Sequence, residues 1–230
     1  MKTKFKHILV ILCLSMISCE GNLEPELFDQ ITPENFLTNE DDVKTAVTGV
    51  YAEFRGISEW GRYKTSWGSV MTLQEVPTDL WAANWFYKAH TDFMWKATDY
   101  FVCEIFEFFV PAITKATALI ARIQDAPVSD DIKNRYIAEL RAVRALWMYD
   151  LFDLYGPVPA ITDPEKILNP TQDFTVTRPS REEYITFVET ELKEVINAQI
   201  LPVAWTGSDY GHVSQATAMM VLLQPVSYTH

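Results

Sequence analysis

The chain has 230 residues, enough for one large or two small domains, and its 48% hydrophobic content suffices for a core. Its 19 basic and 31 acidic residues give a net charge of −12. This balance argues against nucleic acids and phosphate-rich ligands, whose binding requires a positive surface. Aromatic residues reach 13%, including seven Trp. Aromatic rings that lie outside the core would indicate a binding surface.

Residues 1–18 are predicted to be a signal rather than part of the fold. Three lysines lie among the first six residues, and an apolar run too short to span a bilayer follows at 8–17. Cys19 comes directly after this run, which is typical of a bacterial lipoprotein signal with lipidation at Cys19; an ordinary secretory signal is the alternative. Several acyl chains on one residue would anchor the protein stably. Without the signal, 16 basic and 31 acidic residues remain, a net charge of −15.

Residues 19–33 lack periodicity and are predicted to be a tether. Residues 34–54 are predicted to be helix, with Asn39 and Asp42 forming a variant of the capping box. Residues 57–100 break this regularity and contain five Trp.

Two long helices are predicted next, at 100–124 and from about 130 to 155. Pro111 predicts a kink or a new segment in the first. The short turn between them makes the two antiparallel neighbours. The second has apolar residues on two sides, which predicts a position between other helices, and Gly156 with Pro157 ends it. Its apolar stripe is Tyr136, Leu140, Val143, Trp147, Leu151 and Leu154.

The remaining chain is predicted as a proline-rich loop at 156–179 and two more helices. Ser180 and Glu183 form a capping box for the first, and Ser214 caps the last. That helix is predicted to stop before Pro225, and 225–230 is interpreted as a candidate non-native tail. The fold class is therefore all-α, with TPR-like helix pairs over 34–224 and an irregular Trp-rich loop region, although no 34-residue TPR consensus is visible.

The sequence contains no convincing motif for catalysis or metal binding. His90 and His212 lack neighbours with ligand spacing, and no nucleophile motif or phosphate loop is present, so neither a metal nor a cofactor is expected. Cys103 is interpreted as a small buried hydrophobe. Glu75 and Asp79 could form a glycosidase pair, but acids that hydrogen-bond backbone or ligand hydroxyls in a loop are the preferred interpretation. The protein is predicted not to be an enzyme.

The aromatic region is the predicted ligand site. A sugar presents a face of C–H groups that a flat ring can cover, while polar side chains bind its hydroxyls. The region combines both types, and about half of its rings are expected to lie in the core instead. The predicted glycan-binding residues are Trp60, Arg62, Trp67, Asp79, Trp81, Asn84, Trp85 and Tyr87.

Several segments resemble the SusD/RagB family of nutrient-binding outer-membrane lipoproteins. The most specific is ELRAVRALWMYDL at 139–151 followed by LYGPVP at 154–159. Weaker matches stand in the same order: TPENFLTNEDDVKTAVTGVY at 32–51, LQEVPTDLW at 73–81, and Leu201-Pro202 followed by GHVSQATA at 211–218. Family members are about twice as long, so the chain would correspond to the N-terminal half.

The resemblance implies a function as well as a fold. Family members bind glycans or other nutrients at the cell surface, are lipid-anchored in the outer membrane, and cover a TonB-dependent, SusC-like transporter without being enzymes. A loop after the first helix contacts ligand in some members, which matches Trp81 to Trp85 by location. Arg141 and Arg144 are interpreted as structural partners of acids on neighbouring helices. The alternative function is a helical-repeat scaffold that binds only a protein partner.

Overall fold

The computed structural model describes residues 37–54, 70–81, 87–168 and 175–229, without the side chains of 71 and 225–229. Helices and turns account for the described residues, and none of these residues forms a strand, which confirms the all-α prediction. The α-helices are α1 (Glu40–Tyr51), α2 (Val70–Glu75), α3 (Lys88–Thr91), α4 (Tyr100–Asp125), α5 (Asp130–Tyr155), α6 (Pro164–Leu168), α7 (Arg181–Ala198) and α8 (Gln215–Thr229). Short 3₁₀ turns lie at Ala52–Phe54 and Gly207–Asp209.

Helix α5 is the centre of the described fold. Fourteen of its 26 residues are buried, and it packs against α1, α4, α7 and α8. The Tyr155 hydroxyl donates to the Val102 carbonyl, while Lys133 near the other end of α5 donates to the Gln124 carbonyl. These two contacts fix α4 and α5 as antiparallel neighbours, as the short turn between them predicts.

The capping predictions are confirmed, with one change of boundary. Asn39 accepts a hydrogen bond from the Asp42 backbone N–H at 3.0 Å, and the Asp42 carboxylate accepts one from the Asn39 N–H in return. Leu37 has φ of 68° and Asn39 is extended, so the helix begins at Glu40 rather than at 34. Ser180 and Glu183 form the same reciprocal pair at the start of α7.

Two proline-based predictions were wrong: the helix end before Pro225 and the loop without helix at 156–179. Helix α4 runs through Pro111 as one helix, so the alternative of a new segment there is excluded, and the kink stays a prediction. Helix α8 likewise continues past Pro225 to Thr229. A proline inside a helix removes one backbone hydrogen bond, a cost that the flanking turns and their packing can outweigh. The predicted loop at 156–179 contains α6, which begins at Pro164, because the fixed φ of proline suits the first helical position.

Buried charges join α5 to α7. The Arg144 guanidinium binds the Glu191 carboxylate through two nitrogens and donates to Thr117 Oγ1 at 2.8 Å. Arg141 donates to the same carboxylate at 2.8 Å and also pairs with Glu194. Both arginines therefore have the structural role predicted for them.

Candidate functional site

The segment from α2 to the start of α4 is anchored to the core at one end. Val70 and Val76 are buried at the two ends of α2, which packs against α4 and α5. The Gln74 side-chain amide donates to the Asp153 carboxylate of α5 at 2.7 Å. Thr78 then turns the chain by donating its hydroxyl to the Glu75 carbonyl at 2.6 Å. The turn directs the residues that follow away from the core.

Two of the predicted ligand residues lie on this exposed turn. Asp79 is exposed, and Trp81 leaves 46% of its surface accessible. Leu80 between them is exposed as well. A tryptophan that remains accessible next to a carboxylate is the combination that a sugar site requires. Glu75, the other acid of the glycosidase hypothesis, is partly buried at the end of α2.

Tyr87 differs from these two because its ring is part of the packing. It lies 5.2 Å from the Phe101 ring, and burial raises the pKa of its hydroxyl. Its ring therefore supports the structure, as expected for about half of the aromatic residues. The other predicted site residues, Trp60, Arg62, Trp67, Asn84 and Trp85, lie outside the described residues, as does Cys19.

Sequence reasoning missed a second group of exposed aromatic residues, directly after α3. Phe93 and Trp95 pack together with a ring separation of 5.6 Å, and both are exposed. Tyr100 is also exposed, and its hydroxyl donates to Glu104 at 3.1 Å. The signal that could have found them is the run from Phe93 to Trp95, which follows no helical period. Together with Leu80 and Trp81, these residues make 80–100 the most aromatic exposed region of the described chain.

A buried polar network was also missed, although Tyr51, Glu139 and His212 all lie in the resemblance motifs. Glu139 is fully buried and binds the Tyr51 hydroxyl at 2.9 Å, Arg135 Nε at 3.1 Å and His212 Nδ1 at 2.8 Å. The Tyr51 hydroxyl in turn accepts from the Val213 N–H at 2.9 Å. A charged residue on an apolar helix stripe needs partners, and that rule could have revealed Glu139.

This network joins α1, α5 and the loop before α8. Burial and the Glu139 charge raise the pKa of Tyr51, and hydrogen bonding to Arg135 lowers that of Asp209. The hydrogen bonds of this network all join groups within the protein. The network therefore explains why these residues accompany the fold.

The described residues enclose cavities of different size, two of which bear on the choice of site. The larger, about 260 Å³, lies between α5, α6 and α7. Two of its polar groups already have internal partners: Glu183 caps α7, and the Tyr184 hydroxyl donates to the Met148 carbonyl at 2.9 Å. The smaller, about 90 Å³, is lined by residues that include His90 and Trp95. We therefore consider the aromatic region, rather than the larger cavity, as the candidate site.

Other kinds of site find no support among the described residues. No group of three or more His, Cys, Asp or Glu side chains in this part of the chain could hold a metal ion. Likewise, none of the described helices combines the length and apolarity needed to cross a membrane. Cys103 is partly buried, and its thiol contacts the Ala97 carbonyl at 3.1 Å.

Comparison with known proteins finds similarity to SusD-like proteins. No family model matches the chain. A SusD-like protein from Formosa agariphila is 25% identical over 203 residues, which cover 83% of this chain and 37% of the relative. The chain thus spans well under half the length of this curated relative.

Solved structures show the same fold. A SusD-like carbohydrate-binding protein from Bacteroides fragilis superposes with a TM-score of 0.67 at 20% identity, covering 84% of this chain and 38% of that one. Surface glycan-binding protein A from Bacteroides thetaiotaomicron, in complex with laminarihexaose, gives 0.62 at 16% identity, covering 82% and 39%. The resemblance to the SusD/RagB family is therefore confirmed, and this chain has the helical fold of SusD-like proteins.

Proposed function

We propose that this protein binds glycans at the cell surface, through the exposed aromatic residues of 80–100. The observation that carries the proposal is Trp81, which is accessible beside Asp79 on a turn fixed to the core. The structural neighbours support the ligand class, since one of them is a glycan-binding protein in complex with laminarihexaose. Binding occurs without turnover, and no cofactor takes part.

Delivery of the glycan is the second part of the proposal. The protein is anchored in the outer membrane through lipidated Cys19 and passes oligosaccharides to a TonB-dependent, SusC-like transporter. The support is the resemblance to SusD-like proteins together with the signal pattern at 1–19. Radiolabelled palmitate tests the anchor, since label should enter the wild-type chain and be lost in Cys19→Ala.

Affinity electrophoresis in gels that contain laminarin or other neutral polysaccharides tests the binding site. The wild-type chain should be retarded in at least one gel, and Trp81→Ala should weaken binding about tenfold. Losing a stacked ring costs on the order of 1 to 2 kcal/mol, and 1.4 kcal/mol is tenfold. Tyr210→Ala is the matched control, because Tyr210 is an exposed aromatic residue far along the chain.

The result also separates glycan binding from the scaffold alternative. Retardation that is equal in wild type, Trp81→Ala and Tyr210→Ala would place the site elsewhere. A chain that no polysaccharide retards, but that copurifies with a membrane transporter, would instead be a scaffold for a protein partner.

A further inference from the structure

His90 is buried without hydrogen bonds to the rest of the described protein. Only 4% of its surface is accessible, and neither ring nitrogen has a partner among the described residues. Burial lowers the pKa of the imidazole, with Asp99 opposing this effect, so the neutral ring is favoured. A neutral imidazole offers one N–H donor and one nitrogen acceptor. Burying such groups unpaired is costly, so a partner from outside the chain would be favourable.

The unpaired nitrogens of His90 coincide with a cavity. His90 and Trp95 line the 90 Å³ space, together with aliphatic walls from Leu73, Val102 and Leu154. The other described residue with a buried unpaired nitrogen, Trp147, lines neither cavity and lies in the core against Phe109. Of these two buried residues, His90 is thus the one that combines an unmet hydrogen bond with a place beside one of the two cavities.

The rim of this cavity is aromatic and accessible. Trp95 stacks on His90 with a ring separation of 5.9 Å and still leaves 41% of its surface exposed. Phe93, next to Trp95, is also exposed. A sugar that stacks on Trp95 would contact a residue that also lines the cavity beside His90.

The size and lining of the cavity restrict what can enter. A single water needs about 10 to 15 Å³ of such space, so a group of several non-hydrogen atoms fits, whereas small-molecule sites are usually about 300 to 1,000 Å³. Buried waters require two to four polar partners each, and these walls are mostly aliphatic. Tyr155 also lines the space, but its hydroxyl donates to the Val102 carbonyl. A small group with both a methyl and a hydrogen-bonding atom therefore suits the cavity better than a cluster of waters.

We propose that the cavity is a subsite for an acetyl substituent on a sugar, with the methyl group against the aliphatic walls and the polar atoms bound to His90. An acetamido group and an acetyl ester share this chemistry. The subsite rests on the proposed glycan-binding function and extends it from Trp81 to Trp95. It makes the protein selective for acetylated over unsubstituted glycans.

Imidazole ¹⁵N NMR tests the subsite directly. The ring nitrogens of His90, assigned by their absence in His90→Phe, are followed during titration with N-acetylglucosamine, 6-O-acetylglucose and glucose. A saturable shift is expected with the acetylated sugars and not with glucose, while His212, held by Glu139, stays constant. Response to only one acetylated sugar supports the subsite and identifies the substituent. An equal response to glucose, or no response to any of the three, overturns the proposal.

The same variant separates binding from structure. His90→Phe keeps a ring against Trp95 and removes both unpaired nitrogens, so the folded state should be as stable as wild type or more so. Affinity for the acetylated sugar should fall about two- to thirteenfold, the equivalent of a hydrogen bond of 0.5 to 1.5 kcal/mol. Unchanged affinity would contradict the subsite.

Failure of the subsite is distinguishable from failure of the proposed function. If only the subsite is wrong, His90 does not respond, yet polysaccharide gels still retard the chain in a manner that depends on Trp81. If glycan binding itself is wrong, both measurements are negative.

Discussion

The helical core around α5 and the aromatic segment at 80–100 use the same residue types in opposite ways. Trp147 in α5 is completely buried, with Phe54 and Phe109 within about 6 Å of its ring. Trp81 and Trp95 remain exposed on turns whose ends are fixed to that core. The count of Trp residues therefore carries little functional information by itself, because the burial of each ring decides whether it is structural.

Replacing one tryptophan from each region tests this division most strongly. Trp147→Ala should lower the free energy of unfolding by about 3 to 5 kcal/mol, because it removes a large buried side chain and leaves a cavity. Trp81→Ala should change it by less than about 0.5 kcal/mol, as expected for a surface position. Urea denaturation followed by circular dichroism measures both. Similar losses in the two variants would contradict the division into core and surface rings.

A buried and an exposed tyrosine allow the same comparison, with a smaller expected change in unfolding free energy. Tyr51→Phe removes a hydroxyl that binds Glu139 and the Val213 N–H, and the N–H is then left without that partner. We expect a loss of about 1 to 3 kcal/mol in unfolding free energy. Tyr210→Phe is the matched control on an exposed ring and should be neutral within about 0.5 kcal/mol. Equal effects would mean that the Glu139 network adds nothing to stability.

Sequence reasoning predicted the core more completely than the site. The stripe from Tyr136 to Leu154 and the capping pairs are local patterns, so α1, α5 and α7 follow from spacing alone. The helix end predicted before Pro225 was wrong, and no new segment begins at Pro111, because a local rule for helix ends cannot weigh the packing that holds a helix together through a proline. Even so, the exposed turn around Trp81 lies where the loss of helical period predicted it.

What could not be predicted depends on contacts between distant segments. Glu139 binds Tyr51 and His212, which lie 88 and 73 residues away in the chain. The unpaired nitrogens of His90 depend in the same way on which walls surround the ring. No spacing rule gives these distances, so the buried network and the small cavity emerged only from the folded structure.

The smallest expected effect concerns pH at the edge of the Glu139 network. Arg135 donates to Asp209 at 2.9 Å and lowers the pKa of this carboxylate below its ordinary value. Because the folded-state pKa is the lower one, the pair stabilises the fold above the unfolded-state pKa of about 3.9. This contribution disappears as the pH falls through the folded-state value.

Asp209→Asn should therefore cost less than about 1 kcal/mol at pH 7, as for other ion pairs close to the surface. The difference from wild type should shrink towards zero in strong acid, where Asp209 is protonated in both states. Urea denaturation of the two proteins across this pH range measures the effect. A difference in unfolding free energy that stays constant from pH 7 into acid would show that Asp209 acts through its shape or its backbone contacts rather than through its charge. That outcome would separate this edge of the network from its buried centre at Glu139.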